Sequence, residues 1–346
     1  MTLITIWFIL LAVLWTGYLV LEGFDFGVGS LLPVLGGSDY SDSPKGIDQE
    51  KRRRVMLTSI GPFWDGNEVW LLTAGGATFA AFPVWYSTMF SGMYLALLVI
   101  LVALIVRNMG FDYRHKRNSV TWHKRWDLAI TIGSILPPFL LGVALTNLVH
   151  GLPMNAEYDY TGSFFSLLNP VSLLGGLTVL ALSLVHGAHY LALKTAGQIS
   201  QDAKSLATRL GLVAAVLAVI LLLWLGLTAN SSIWSWITTV LAAVSLLAGM
   251  WFNLQGRAGW AFIGTSVTMA MAVVTYFLML WPNAIVGSEG TNLSLEAAAS
   301  TPLTLKIMTG AALVFTPIAL IYTAWNYWVF RKRLTVEQIP EAVSVS

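Results

Sequence analysis

Two carboxylate pairs carry the chemistry that this sequence can be read for. Asp65 and Glu68 stand three residues apart in Pro62-Phe63-Trp64-Asp65-Gly66-Asn67-Glu68-Val69-Trp70, and Glu22 and Asp25 repeat that spacing in Glu22-Gly23-Phe24-Asp25-Phe26-Gly27. On a helix, residues i and i+3 share a face. Each pair lies inside or at the end of a long apolar run. Carboxylates within a membrane helix are expensive and usually mark an ion or substrate path. At about 1.5 Å per residue, Asp65 falls roughly 15 Å into its segment, near the middle of an apolar core about 30 Å thick. Glu68 lies about one turn further along. Glu22 and Asp25 follow 21 uncharged residues, which places them in the inner half of the first segment. Asp112, in Gly110-Phe111-Asp112-Tyr113-Arg114, sits at the mouth of the third. Together the five acids, Asp112, Asp25, Glu22, Asp65 and Glu68, could form a ladder that hands protons inward through water. The bland alternatives differ by site. Asp112 and Asp127 flank basic residues and suit a solvated or salt-bridged role. One of Asp65 and Glu68 could brace a neighbouring backbone, since Gly66 interrupts the helix there.

His186 and His189 form a third i,i+3 pair. A bis-histidine haem needs ligands on opposite faces of its ring, which one helix cannot supply at that spacing. His150 lies most of a membrane away from His186, and His115 and His123 belong to a basic loop. A haem held by this chain alone is therefore not expected, and helix packing or accessory proton handling is. The chain has no cysteine, which excludes thiolate chemistry, disulfides and Cys-ligated metal. No phosphate-binding glycine loop, Ser/His/Asp set or zinc spacing is present.

These residues must be positioned by membrane helices. Of 346 residues, 56% are apolar and only 10% charged. Soluble domains carry about 25% charged residues. Nine segments are long and apolar enough to span a bilayer: 3–32, 55–82, 84–106, 126–149, 166–193, 203–227, 233–254, 258–280 and 303–329. Lipid leaves only helices or closed barrels, and runs of this length are helices. Eighteen of the 19 Lys and Arg, Arg107 included, fall on one side of this plan, and only Lys306 on the other. The positive-inside rule then puts the N-terminus outside and the C-terminus in the cytoplasm. The expected architecture is one all-α integral membrane domain over 1–346. It has a first four-helix bundle to about 150, a second over about 166–282, and a peripheral ninth helix. Pro137-Pro138 should kink the fourth helix, and the small residues Thr73-Ala74-Gly75-Gly76-Ala77-Thr78 should let helices approach closely. There is no long basic tail of the kind that binds nucleic acid.

The chain resembles a known family at several of these stretches. They are Glu22-Gly23-Phe24-Asp25-Phe26-Gly27-Val28-Gly29, Trp64-Asp65-Gly66-Asn67-Glu68-Val69-Trp70-Leu71, Thr73-Ala74-Gly75-Gly76-Ala77, Gly110-Phe111-Asp112-Tyr113-Arg114, Leu168-Asn169-Pro170 and Tyr322-Thr323-Ala324-Trp325. In this order they are similar to subunit II of cytochrome bd-type quinol oxidases. The resemblance implies a bacterial cytoplasmic membrane protein with nine helices and no haem of its own. Its implied partner is subunit I, which holds two b-type haems, one d-type haem and the quinol site. Small single-helix subunits, quinol and lipid are further expected partners. The complex would oxidise quinol at the outer face and reduce oxygen to water with cytoplasmic protons. Acids at the positions of Asp25, Asp65 and Asp112 would belong to a proton path along the subunit interface, and Trp64 would lie near a structural quinone. His186-Gly187-Ala188-His189 is a departure from the family pattern, as is a shortened connection between the sixth and seventh helices.

Two readings from other classes compete. A stand-alone proton-coupled transporter would also need intramembrane acids, but it would show interrupted helices at matching places in its two halves. A membrane cytochrome using His186 would show a haem absorption band when purified alone.

Overall fold

In the computed structural model, which describes residues 2–41 and 43–338, the chain folds into eleven principal helices. They are α1 (Leu3–Ser30), α2 (Pro44–Ile60), α3 (Trp64–Ala81), α4 (Pro83–Gly92), α5 (Tyr94–Tyr113), α6 (Val120–His150), α7 (Pro170–Lys194), α8 (Gln198–Thr228), α9 (Ile233–Leu254), α10 (Ala258–Leu280) and α11 (Pro302–Val329). Proline at the first position starts α4, α7 and α11, where its missing N–H costs no hydrogen bond. Side-chain oxygens of Asn169 and Thr301 cap α7 and α11 by accepting from the N–H groups of Ser172 and Thr304. The long connection after α10 is closed by a short antiparallel pairing of Asn283–Ile285 with Leu293–Ser294.

Among the described residues, eight helices are long and apolar enough to cross a membrane: α1 and α5 to α11. The second expected segment, 55–82, is not one helix. It divides at Gly61-Pro62-Phe63, so that α2 ends at Ile60 and α3 begins at Trp64. The cause is Pro62, whose ring cannot continue a helix through the preceding turn. Gly66, the interruption expected from sequence, sits inside α3 instead. The third expected segment, 84–106, also divides, at Met93, and its inner part runs on to Tyr113. Both divisions lie in the first half, and α7 to α10 are each unbroken. The matching interruptions of a two-fold transporter are therefore not seen among the described residues. Despite Pro137 and Pro138, α6 is also assigned as one helix from end to end.

The first helix organises the rest. From Glu22 to Ser30 every residue of α1 is buried. This stretch packs against α3 and α6 on one side and α7 and α10 on the other. The two expected bundles thus share α1 and one continuous apolar core. Apolar helices gain little from burial against one another in lipid, so close backbone contact has to hold them. Gly27 of α1 faces Gly187 of α7, and a Cβ on Gly187 would come within 2.6 Å of the Gly27 Cα. By contrast Gly75 and Gly76 have nothing near them. They line an apolar cavity of about 490 Å³ between α3 and α5 and do not form the close helix contact expected of them. The peripheral helix α11 buries only Leu305, and every residue from Leu313 to Tyr322 is exposed.

A buried carboxylate cluster as candidate functional site

Glu22 and Asp25 project from the tightly enclosed turn of α1, and both are completely buried. Glu22 accepts a hydrogen bond from Arg107 Nη1 of α5 at 2.5 Å, and neither side chain reaches solvent. The Arg107 guanidinium is held by aromatic rings, with its centre 4.9 Å from the Phe26 ring and 5.0 Å from the Phe111 ring. Asp25 accepts at Oδ2 from Asn67 Nδ2 of α3 at 2.7 Å, and the same amide donates to the Leu21 carbonyl at 3.2 Å. Glu68, half-buried one residue further along α3, accepts from Asn108 Nδ2 of α5 at 2.5 Å. One guanidinium thus pairs with Glu22 and lies within electrostatic reach of Asp25 and Glu68. Glu22 Oε2, Asp25 Oδ1, Arg107 Nε and Nη2, Asn108 Oδ1 and Tyr18 Oη have no protein partner. Buried polar atoms rarely stay unpaired, so these atoms have hydrogen-bonding capacity that other groups of this chain do not fill.

A cavity of about 560 Å³ opens at the basic end of the molecule beside this cluster. Its wall includes Gly61, Trp64, Phe111 and Asp112, together with Glu50 and Arg114. Phe111 stands between two partners, the Arg107 guanidinium and the Trp64 ring at 5.3 Å. One aromatic ring thus separates the cavity from the Arg107–Glu22 pair. The rim is locked by ion pairs. Arg114 donates to both carboxylate oxygens of Glu50 at 2.8 Å and to Asp127 at 2.5 Å, and Tyr40 Oη donates to Asp127 at 3.0 Å. Burial alone would push the Glu50 carboxyl up. The hydrogen bonds and charge of Arg114 outweigh it and hold Glu50 below the ordinary glutamate range. The Tyr40 hydroxyl is pushed up to about 12 by burial and by the neighbouring Asp127 charge.

The divided second segment is tied down by the last helix. Asn326 Nδ2 of α11 donates to the Pro62 carbonyl at 2.9 Å, an acceptor that the break leaves without a helical partner. The next residue, Tyr327, donates from its hydroxyl to Asn67 Oδ1 at 2.9 Å. Its ring stacks on Phe63 with centroids 4.4 Å apart.

The structure rearranges the expected ladder. Asp65 is not enclosed at mid-depth. It lies in the first turn of α3, where a carboxylate suits the positive end of the helix dipole, and its side chain is exposed on the isolated chain. Within this chain Glu22 and Asp25 are the enclosed pair, Glu68 is half-buried and the Asp65 side chain is exposed. Asp112 does reach the cavity at the basic end, and Trp64 lines that cavity and not the apolar one. Asp127 takes the salt-bridged role. His186 and His189 are both buried. The His186 ring nitrogens contact Thr265 Oγ1 at 2.8 Å and the Val20 carbonyl at 3.1 Å, and the ring stacks on Phe262. Those contacts leave His186 no free nitrogen for a metal. Among the described residues no group of three or more His, Cys, Asp or Glu is placed to hold one.

Arg107, one residue beyond the expected third segment, lies inside α5 and faces Glu22. Asn67, Asn108, Asn326 and Tyr327 join the site through the packing of α3, α5 and α11. Asn67 sits between the two acids already singled out, whereas only the three-dimensional packing reveals Tyr327.

Residues 3–330 match the family described as cytochrome bd terminal oxidase subunit II. The chain belongs to that family. Cytochrome bd-I ubiquinol oxidase subunit 2 of Escherichia coli strain K12 is 37% identical over 373 residues, covering 96% of each chain. Cytochrome bd ubiquinol oxidase subunit 2 of Bacillus subtilis strain 168 is 38% identical over 342 residues, covering 95% of this chain and 96% of that protein. The solved structure of the bd oxidase from Geobacillus thermodenitrificans contains a chain that superposes with a TM-score of 0.74 at 19% identity, covering 96% of this chain and all of that one. The fold is thus shared with a bd oxidase chain. The subunit II family member described here is a multi-pass membrane protein.

Proposed function

We propose that this chain is the haem-free second subunit of a bacterial cytochrome bd-type quinol:oxygen oxidoreductase, and that it conducts cytoplasmic protons toward an oxygen-reducing haem in subunit I. The observation that supports the proton role is the buried set Glu22, Asp25 and Arg107, with the half-buried Glu68, near a cavity at the basic end. Eighteen of the 19 basic residues fall on one side of the helix plan, which supports reading that end as the cytoplasmic side. Three carboxyls and one guanidinium are electrically neutral only when two protons are bound. Such a cluster stores protons and releases them as neighbouring charges change. Protons enter at Asp112, pass the Phe111 ring through water and reach Glu22 and Asp25. Asp65, exposed at the start of α3, faces the partner subunit and carries the path across the interface. The destination of the protons is the oxygen-reducing haem of subunit I. The haems belong to that partner, and the role of this chain's residues is to bind, hold and pass protons.

The test is purification of the chain from its native membrane. The expected result is a larger membrane subunit carrying b- and d-type haem, with quinol oxidase activity in the pair. Recovery of the chain alone, with proton flux in proteoliposomes, would support a transporter instead.

A further inference from the structure

The last helix is held apart from the body along most of its length, yet its inner end makes two side-chain hydrogen bonds to the region around the carboxylates. We infer that Tyr327 is a positioning residue for Asp25, acting through Asn67. This deepens the proton-conduction reading above and rests on it.

The argument starts from the Asn67 amide, which is buried with 2% of its surface exposed. Its nitrogen donates to Asp25 Oδ2 and to the Leu21 carbonyl. Its oxygen accepts from the Tyr327 hydroxyl. Both N–H groups of the amide and one lone pair of its oxygen are then used, and each contact fixes the others. Without the Tyr327 hydroxyl, Oδ1 would be a buried acceptor with no donor, which costs more than the net value of a normal hydrogen bond. The amide would turn away, and Asp25 would lose the N–H that holds its Oδ2. Donation into Oδ1 also polarises the N–H bonds at the other end, so the chain Tyr327–Asn67–Asp25 strengthens as a unit. The acid under control sits among charges, since Glu22, Arg107 and Glu68 all act on Asp25. A small change in its orientation therefore alters which neighbour it exchanges protons with.

The local packing explains how a peripheral helix can do this. Pro62 breaks the second segment and leaves its carbonyl open, and Asn326 closes it. The Phe63 ring behind the break supplies the stacking face for Tyr327. A second contact, to Phe24 of α1 at 6.4 Å between ring centroids, sets the ring from the other side. The hydroxyl is thereby aimed at Asn67 by two rings and one backbone tie.

The experiment uses the assembled oxidase with its haem content verified. Tyr327→Phe keeps both ring contacts and removes only the hydroxyl. Turnover is expected to fall about three- to tenfold, the effect of one buried neutral hydrogen bond. Asn67→Ala should lower turnover at least as far, and the double variant should be no slower than Asn67→Ala alone, because both changes cut the same connection. Infrared difference spectra supply a readout that packing alone would not move. The band lost in Asp25→Asn should shift in Tyr327→Phe. It should shift the opposite way when a fluorinated tyrosine, a stronger donor of the same shape, replaces Tyr327. That substitution also serves if Tyr327→Phe fails to assemble. Additive losses in the double variant, or an unmoved Asp25 band with either replacement, would overturn the inference. Full turnover in Asp25→Asn is a separate outcome. It would remove Asp25 from the proton path while the band shifts still decided whether Tyr327 positions it.

Discussion

Replacing Arg107 with methionine removes the guanidinium that Glu22 faces and little else, because methionine keeps a long apolar stem between the Phe26 and Phe111 rings. Both partners of the pair are fully buried and 2.5 Å apart. Breaking such a pair from one side costs about 3–5 kcal/mol, since the remaining charge is left in a low-dielectric interior. That range is about a hundredfold or more in a folding equilibrium, set against a total stability of about 5–15 kcal/mol for an ordinary domain. Glu22→Gln should cost less. It leaves Arg107 with Asp25 and Glu68 still acting on it, and glutamine can accept a hydrogen bond at the same place. The predicted order of thermal tolerance is therefore wild type, Glu22→Gln, then Arg107→Met. The double variant should recover much of the single Arg107→Met loss. The assay is the melting midpoint of the detergent-purified complex, followed by haem absorbance and gel filtration. Turnover should remain low in the double variant even where stability returns. An Arg107→Met complex as stable as wild type, or a double variant no better than Arg107→Met, would refute the view that this buried pair is a paired charge.

Three further outcomes follow from the same structure. Gly187→Ala places a methyl against the backbone of α1, and it should lower the melting midpoint by an amount equivalent to about 1–3 kcal/mol, whereas Gly75→Ala, beside open space, should be nearly neutral. Asp65→Asn should leave the stability of the isolated chain unchanged because the side chain is exposed, but slow oxygen-coupled quinol oxidation in the complex with haem content intact. Glu50 has its carboxyl held below its ordinary value of 4.5, so the stability it contributes is present above that pH and lost as the pH falls further. Glu50→Gln should accordingly lower the midpoint at neutral pH, and the gap from wild type should close on acidification below 4.5.

The membrane plan was legible in the sequence because hydropathy is a local property. Seven of the nine expected segments coincide with single helices to within a few residues, and 233–254 and 258–280 agree at both ends. The second and third segments failed for a physical reason. Gly61-Pro62-Phe63 is as apolar as its surroundings, so a hydropathy run passes over a break that proline imposes on the backbone. Identifying Glu22, Asp25 and Glu68 as a connected set was within reach, since carboxylates stand out against an apolar background. Their depth was not, because burial depends on which helices close around them. Glu22 is enclosed because Gly27 lets α7 approach and Arg107 meets it from α5. Asp65 is open because, among the described residues, none packs over its side chain, although α11 holds the start of α3 at Pro62 and Phe63. The Tyr327–Asn67–Asp25 chain joins residues as many as 260 positions apart along the sequence, and no local pattern marks it.

The central claim is that protons reach the oxidase through the buried cluster of this chain. It is tested most directly by an oxygen pulse to the fully reduced complex in proteoliposomes carrying the Glu22→Gln change, with proton uptake followed by a pH dye on the cytoplasmic side. The account predicts normal haem reduction by quinol and normal oxygen binding, with proton uptake slowed by about tenfold or more, as for loss of a positioned proton carrier. Uptake at the wild-type rate in a complex with full haem content would contradict it.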